Sequence, residues 1–558
     1  TRMIDRLFVL SSLEKVFPDE APTPYTGKFS MLRGDQLSFQ VAFYMDAAVR
    51  EAFPQNVQVR LESPLGQWAE VTQVKCVPAL YPAGNTSDGG FLRTTPGLYP
   101  DLLQPIPAEG VRMTPRSWNA VWIQICTDAD TPAGEFPVTV TISTDCPHNG
   151  GKEEHSVTVP VEVIPVQLPE QKLLFTQWFY CDCIADYYHV EPWSEAHWTL
   201  VEKQLRTAAK YGVNMILTPL FTPALDTAVG HERTTVQLVG ISRENGVYSF
   251  GFEKLERWVR LCRDCGIRCF EMAHLYTQWG AKHCPKIMAT ADGEYRRIFG
   301  WETDAVSPEY REFLAAFLPA LITELKRLGL SRDEVRFHIS DEPYSDMLEQ
   351  YNACKQQVVD LLDGYPVMDA LSDYSFYREG VCGHPVVALD HVQPFLDHGM
   401  EDLWVYYCVS QTYQVSNRFM CMPSARNRII GPQLYKYRVS GFLHWGYNFY
   451  NSVLSMRHIN PFAVTDADGG LPAGDPFSVY PGDGGETWDS IRLRVFSEAL
   501  HDLRALELLE SLTSREHVME LVEGGLSREL TFFSYPAEAS YLLDLRSRVN
   551  AEIKALSR

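Results

Sequence analysis

A chain of 558 residues is too long for one ordinary core, so two or three domains are expected. A net charge of −22, with no basic patch to offset it, argues against nucleic acid or an anionic membrane surface as partner, and no apolar run approaches the length of a membrane span. The 13 cysteines, odd in number and irregularly spaced, do not form a disulfide framework, and Thr1–Ile4 shows no signal-peptide pattern, so the expected location is cytoplasmic.

Residues 1–168 read as an N-terminal β-sandwich domain. Alternating apolar runs recur at 36–44, 57–61 and 121–125, punctuated by Pro and Gly. Segments 136–142 and 155–163 look like its last hairpin, and Leu168-Pro169-Glu170 reads as a linker.

From 169 to 480 the texture changes to strands alternating with helices. Strands are expected at 172–178, 213–217 and 267–272, with a hairpin insertion near 231–250. Ser307-Pro308-Glu309 is a helix start: a capping hydroxyl, a proline in the first turn, then an acid. A fourth strand follows, carrying Val335, Phe337 and Ile339 on one face. Four more are expected at 365–369, 386–389, 403–407 and 441–445. Eight such units in an α/β chain imply a (β/α)8 TIM-like barrel, closed by a C-terminal helical segment, 481–558, packed on it.

The fourth strand runs out into Asp341-Glu342-Pro343. Neighbouring side chains on a regular strand face opposite ways, so both acids reach one pocket only where the strand stops or bulges. Pro343 supplies a stop and is expected to hold Glu342 extended. Two carboxylates this close cannot both ionise freely, so one is expected to act as a general acid near neutral pH. The bland alternative is an N-cap pair for the helix that follows. Barrel active sites lie at the C-terminal strand ends, where this pair falls. No carboxylate closes the seventh or eighth strand, although a two-carboxylate retaining glycosidase needs a second one. A 2-acetamido sugar carries its own nucleophile, the amide oxygen.

The segments His338–Pro343, Gly441–Asn448 and Asp475–Gly482, with Ser490-Ile491-Arg492 and the helix after them, resemble glycoside hydrolase family 123, the bacterial β-N-acetylgalactosaminidases, and the wider group sharing its catalytic domain. Pro96–Asp101 and Thr131–Phe136 extend the likeness into the sandwich. The resemblance implies release of terminal β-linked N-acetylgalactosamine with retention, through an oxazolinium-type intermediate. Asp341 would hold the acetamido N–H, and Glu342 would serve as acid and then base.

Candidate substrate contacts are Trp178, His274, Asp373, Tyr406, Tyr407, Trp445 and Asn448. Each has a plainer reading: core packing for the aromatics, a loop carbonyl partner for His274, a helix cap for Asp373. Cys262 and Cys265 lack companions at zinc-site spacing, so no metal and no cofactor are expected. The expected partner is a glycan or glycoconjugate substrate, and a homo-oligomer is compatible with the sequence. Two alternatives stay open: a glycosidase for another sugar with a separate nucleophile such as Asp390, or a carbohydrate-binding protein without activity.

Overall fold

The computed structural model describes residues 3–45, 55–146 and 151–557. Two sheets open the chain. One is antiparallel and runs through strands Ile4–Ser11, Gln36–Met45, Trp118–Cys126, Ala69–Ala79 and Gly97–Pro105. Its last two members, Thr487–Ser490 and Val479–Pro481, come from far down the chain. The other sheet is five-stranded and centred on the hairpin Gly134–Cys146/Gly151–Gln167, whose turn lies outside the described residues. Period-2 alternation turns Phe39, Val41, Phe43, Val121 and Ile123 inward, where they meet Val138, Val140, Val159 and Val161 from the facing sheet.

The middle of the chain holds an eight-stranded parallel sheet, in spatial order fourth, third, second, first, eighth, seventh, sixth, fifth. The strands are Leu174–Gln177, Met215–Thr218, Cys269–Met272, Val335–Phe337, Asp369–Ala370, Pro385–Ala388, Trp404–Tyr406 and Gly441–His444. The expectation of a clear (β/α)8 TIM barrel is corrected here. The parallel ladder runs only from the fourth strand round to the fifth, and an isolated bridge, Phe337 to Val367, is what spans the gap between them. The fifth strand has two residues, since Pro366 before it has no N–H to give a ladder. The helices after the fifth and sixth strands shrink to Tyr374–Arg378 and Gln393–His398. Two hairpins inserted after the second and third strands join into a separate four-stranded mixed sheet. The result is a β-rich assembly of mixed sheets around a parallel arc.

The strand Thr487–Ser490 pairs with Gly97–Pro105 and leads straight into the helix Ile491–Leu512, which Ser490 caps through its bond from Leu493 N–H. Arg492 in its first turn forms a two-pronged ion pair with Asp101 of the N-terminal sheet, at 2.7 and 3.0 Å, and donates to the carbonyls of Gly474 and Phe477. The N-terminal sheets are therefore bound to the parallel arc through shared strands and buried charge. Among the described residues no helix is long and apolar enough to cross a membrane.

Candidate active site

The fourth parallel strand ends at Phe337, and the chain continues through buried His338, Ile339 and Ser340 to Asp341 and Glu342. Glu342 is not extended, as Pro343 was expected to make it. Its φ is +45°, in the left-handed region. The backbone is fixed from both sides: Asp341 C=O accepts Trp279 N–H at 2.9 Å, and Glu342 N–H donates to Ala370 C=O at 3.1 Å. These bonds override the local preference, at a cost on the order of 1–3 kcal/mol. The left-handed turn breaks strand alternation, so Asp341 and Glu342 line the same cavity.

Both acids are shifted. Burial first, then the adjacent Glu342 carboxylate, pushes Asp341 well above the ordinary carboxylate range, while His338 pulls it down. Burial raises Glu342 too. A bond from Tyr406 Oη to Glu342 Oε1, 2.8 Å, works against that rise, as does Trp279, and the charge of Asp390 adds to it.

Beneath the pair lies a buried ion network. His338 Nε2 meets Glu271 Oε2 at 2.6 Å, and Nδ1 meets Asp369 Oδ1 at 3.1 Å. Despite burial, which opposes the charge, the bonds to Asp369 and Glu271 push His338 up to about 10, so it is an imidazolium. Glu271 also accepts from Thr176 Oγ1 and, at 3.0 Å, from Trp178 Nε1. Asp369 accepts from Tyr351 Oη and from Ile339 N–H. Donor atoms of His274, His338 and Asp369 lie within 4.8 Å of one another, a spacing that could suit a metal ion. Both His338 nitrogens are already committed to carboxylates, so the geometry describes a charge network instead.

Of the residues singled out from the sequence, Trp178, Tyr406 and Trp445 line the cavity with the acid pair. Trp178 is oriented by Glu271, and Trp445 by a 2.9 Å bond from its Nε1 to Asp475 Oδ2, whose carboxyl burial pushes up to about 7. The other four stand elsewhere. Asp373 caps the helix Tyr374–Arg378, accepting from Ser375 N–H at 3.0 Å. Tyr407 points away from the cavity, its hydroxyl bonded to Asn427. Asn448 is buried and holds Tyr180 N–H and Gln204 together. His274 stacks on His338 at 4.3 Å, and burial keeps it neutral, well below its usual range.

The sequence reading missed Asp226 and Gln278, which line the cavity beyond the ends of the second and third strands. Asp226 could have been found by the logic that found Asp341, as an acid shortly after an apolar strand run. Trp279 and Tyr180 also line the cavity.

Residues 178–509 match the family model for the glycoside hydrolase 123 catalytic domain. A family 123 glycoside hydrolase from Clostridium perfringens, described for glycolipid glycan hydrolysis, superposes with a TM-score of 0.74 at 14% identity, covering 100% of this chain and 99% of that one. β-Glucuronidases from Ruminococcus gnavus (TM-score 0.33, 9% identity, 90% of this chain and 98% of that one) and Parabacteroides merdae (0.28, 10%, 86% and 50%) superpose too loosely to carry an argument. No curated protein sequence matches the chain.

Proposed function

Because the chain belongs to glycoside hydrolase family 123 and is a glycoside hydrolase, we propose that it releases terminal β-linked N-acetylgalactosamine from glycans or glycoconjugates, with retention of configuration. The observation that carries this reading is the left-handed turn at Glu342, which delivers two adjacent acids to one aromatic-lined cavity. Adjacent carboxylates suit two tasks on neighbouring sugar carbons. Asp341 accepts the N–H of the 2-acetamido group, sharpening the nucleophilicity of the amide oxygen, which attacks the anomeric carbon. Glu342 gives its proton to the departing glycosidic oxygen. Positive charge then spreads over the cyclised amide, and Asp341 stabilises it more in the transition state than in the ground state. In the second step the Glu342 carboxylate takes a proton from water as it attacks the same carbon, reopening the ring. Two inversions give net retention. Glycolipid glycans, the substrates of the Clostridium perfringens enzyme, are the class to test first.

A second reading rests on Asp226, a further carboxylate in the cavity lining, which could serve as a conventional nucleophile. One feature weighs against it: Asp226 stands beyond the second strand, two places from the fourth in the sheet. Chromogenic β-N-acetylgalactosaminide and β-N-acetylglucosaminide assays test the sugar. Mass spectrometry after incubation with a 2-deoxy-2-fluoro glycoside tests the mechanism, with no covalent adduct expected. A stable adduct on any Asp or Glu would refute substrate assistance.

A further inference from the structure

The wall of the cavity away from the acid pair is also built. Asp226 sits at φ +44°, and the two residues it touches from the far end of the chain, Leu454 and Ser455, have φ of +59° and +53°. Three non-glycine residues in mutual contact thus share the left-handed region, the kind of strain that persists where neighbours over-determine the backbone. The contacts are specific. Leu454 N–H donates to Asp226 Oδ2 at 3.0 Å, Ser455 Oγ donates to Asp226 C=O at 2.7 Å, and Asp226 N–H donates to Gln278 Oε1. An N–H can only donate, so Gln278 must present its oxygen to Asp226, and its amide NH2 is left over. That nitrogen is buried and has no partner among the described residues. Gln278 is itself 8% exposed. Asp226 Oδ1 makes none of these bonds, and among the described residues the cation whose charge is felt there, Arg233, is held by both oxygens of Asp182 at 2.9 and 2.8 Å.

An acceptor, Asp226 Oδ1, and a donor, Gln278 Nε2, therefore belong to neighbouring residues of a cavity whose other walls are mostly apolar. A sugar hydroxyl both donates and accepts, and it is the group such a pair fits. Resting on the proposed function, we infer that Asp226 and Gln278 form the hydroxyl-recognition site of the terminal sugar. They bind the ring edge opposite the anomeric and acetamido carbons, at C4 and C6, and set which sugar is accepted. The direction follows from topology. C1 and C2 are committed to the acids beyond the fourth strand. Asp226, beyond the second, lies two strand spacings round the sheet, roughly 10 Å, so it faces the far edge of the ring.

The test pairs substrate and enzyme changes. Aryl 2-acetamido-2-deoxy-β-galactoside and its 4-deoxy and 6-deoxy analogues are turned over by the wild type, Asp226→Asn and Gln278→Glu. Each substitution keeps an oxygen for its existing backbone partner and changes only the group turned to the cavity. In the wild type, kcat/KM should fall about 10–100-fold on removing at least one of the two hydroxyls, the size of a charge-assisted bond. In each variant that penalty should shrink to about threefold or less, with most of the variant's own loss in KM. Equal penalties in wild type and both variants overturn the inference and leave the proposed function standing. A kcat loss of about 10⁴ or more for Asp226→Asn at unchanged KM overturns it in favour of the nucleophile reading. A wild type inactive on the parent glycoside refutes the proposed function itself.

Discussion

Replacing Tyr406 with Phe removes one oxygen atom and tests who carries the catalytic proton. Tyr406 Oη donates to Glu342 Oε1 at 2.8 Å and also meets Ser372 Oγ at 3.2 Å. The tyrosine is 6% exposed, so bulk water cannot readily replace the lost donor. This bond favours the ionised form of Glu342, against burial, which favours the neutral form. A hydrogen bond to a charged group is worth about 1.5–3 kcal/mol, and one pH unit corresponds to about 1.4 kcal/mol. If Glu342 is the general acid, activity falls on the alkaline side as it loses its proton, and Tyr406→Phe should move that limb of kcat/KM upward by about one pH unit. The acid limb, set in this mechanism by ionisation of Asp341, should stay in place. The assay is the pH dependence of kcat/KM on an aryl glycoside whose sugar does not ionise, with melting temperature recorded alongside. An alkaline limb that stays put, or moves to lower pH, would refute Glu342 as the acid. A shift of the acid limb alone would reverse the roles of the two carboxylates.

Glu342→Gln should nearly abolish turnover of substrates with poor leaving groups but spare the first step on activated aryl glycosides; equal single-turnover losses on both would count against the assignment. Asp341→Asn should lower kcat by roughly two to four decades with KM less affected, and a thiazoline analogue of the bicyclic intermediate should inhibit the wild type more strongly than the variant. His338→Gln should destabilise the protein by about 3–5 kcal/mol, measured by denaturant titration at neutral pH, because Glu271 and Asp369 lose a buried counter-charge. The pH dependence fixes its sign: His338 is raised from 6.5 to about 10, so its contribution is full below 6.5 and is lost as pH rises through 10, and the variant should lack that slope. Gly446→Ala should lower the melting temperature and slow catalysis, since a Cβ there would stand 2.5 Å from Pro476 C=O and 2.7 Å from Asp475 C=O, in the segment that orients Trp445. A cost of about 1–3 kcal/mol is expected, and an unchanged melting curve would exclude the clash.

Local signals in the sequence were reliable where one residue type performs one job. Ser307 caps its helix through Tyr310 N–H with Pro308 behind it, as the triplet implied. The acid pair stood out because two adjacent carboxylates end an apolar strand run, and both line one cavity. What could not be read was anything decided by long-range contact. The parallel sheet looked from its alternation like a regular barrel, but strand length and closure depend on pairing across the sheet, and Pro366 limits that pairing at one place. The strands at 479–490 were read as barrel and C-terminal helix, because nothing in their composition reveals that they pair with Gly97–Pro105. Tyr407 and Asn448 were sound guesses from position, yet a one-residue change of facing turns a strand-end side chain from cavity to core. Tyr406 faces the cavity; Tyr407 faces Asn427.

The pKa pattern of the acid pair carries a consequence for how the cycle begins. Burial raises both acids, and the charges of Glu342, Asp369 and Asp226 add to the rise at Asp341. Glu342 has Tyr406 and Trp279 to favour its charge. Two carboxyls this close share one proton near neutral pH, and the proposed chemistry needs it on Glu342. The substrate can supply that bias. An acetamido N–H delivered to Asp341 is a donor that the carboxylate accepts more strongly than the neutral acid does, and the buried His338 imidazolium already leans the same way. A sugar ring seated against Tyr406 and Trp279 excludes water from Glu342 and favours its neutral form. In the proposed mechanism binding thus favours the proton on Glu342, and a sugar without the amide lacks that bias. In that mechanism the 2-acetamido group would contribute the nucleophile and also bias the protonation of its own catalyst, so selectivity for amide-bearing sugars would follow from electrostatics before any shape discrimination begins.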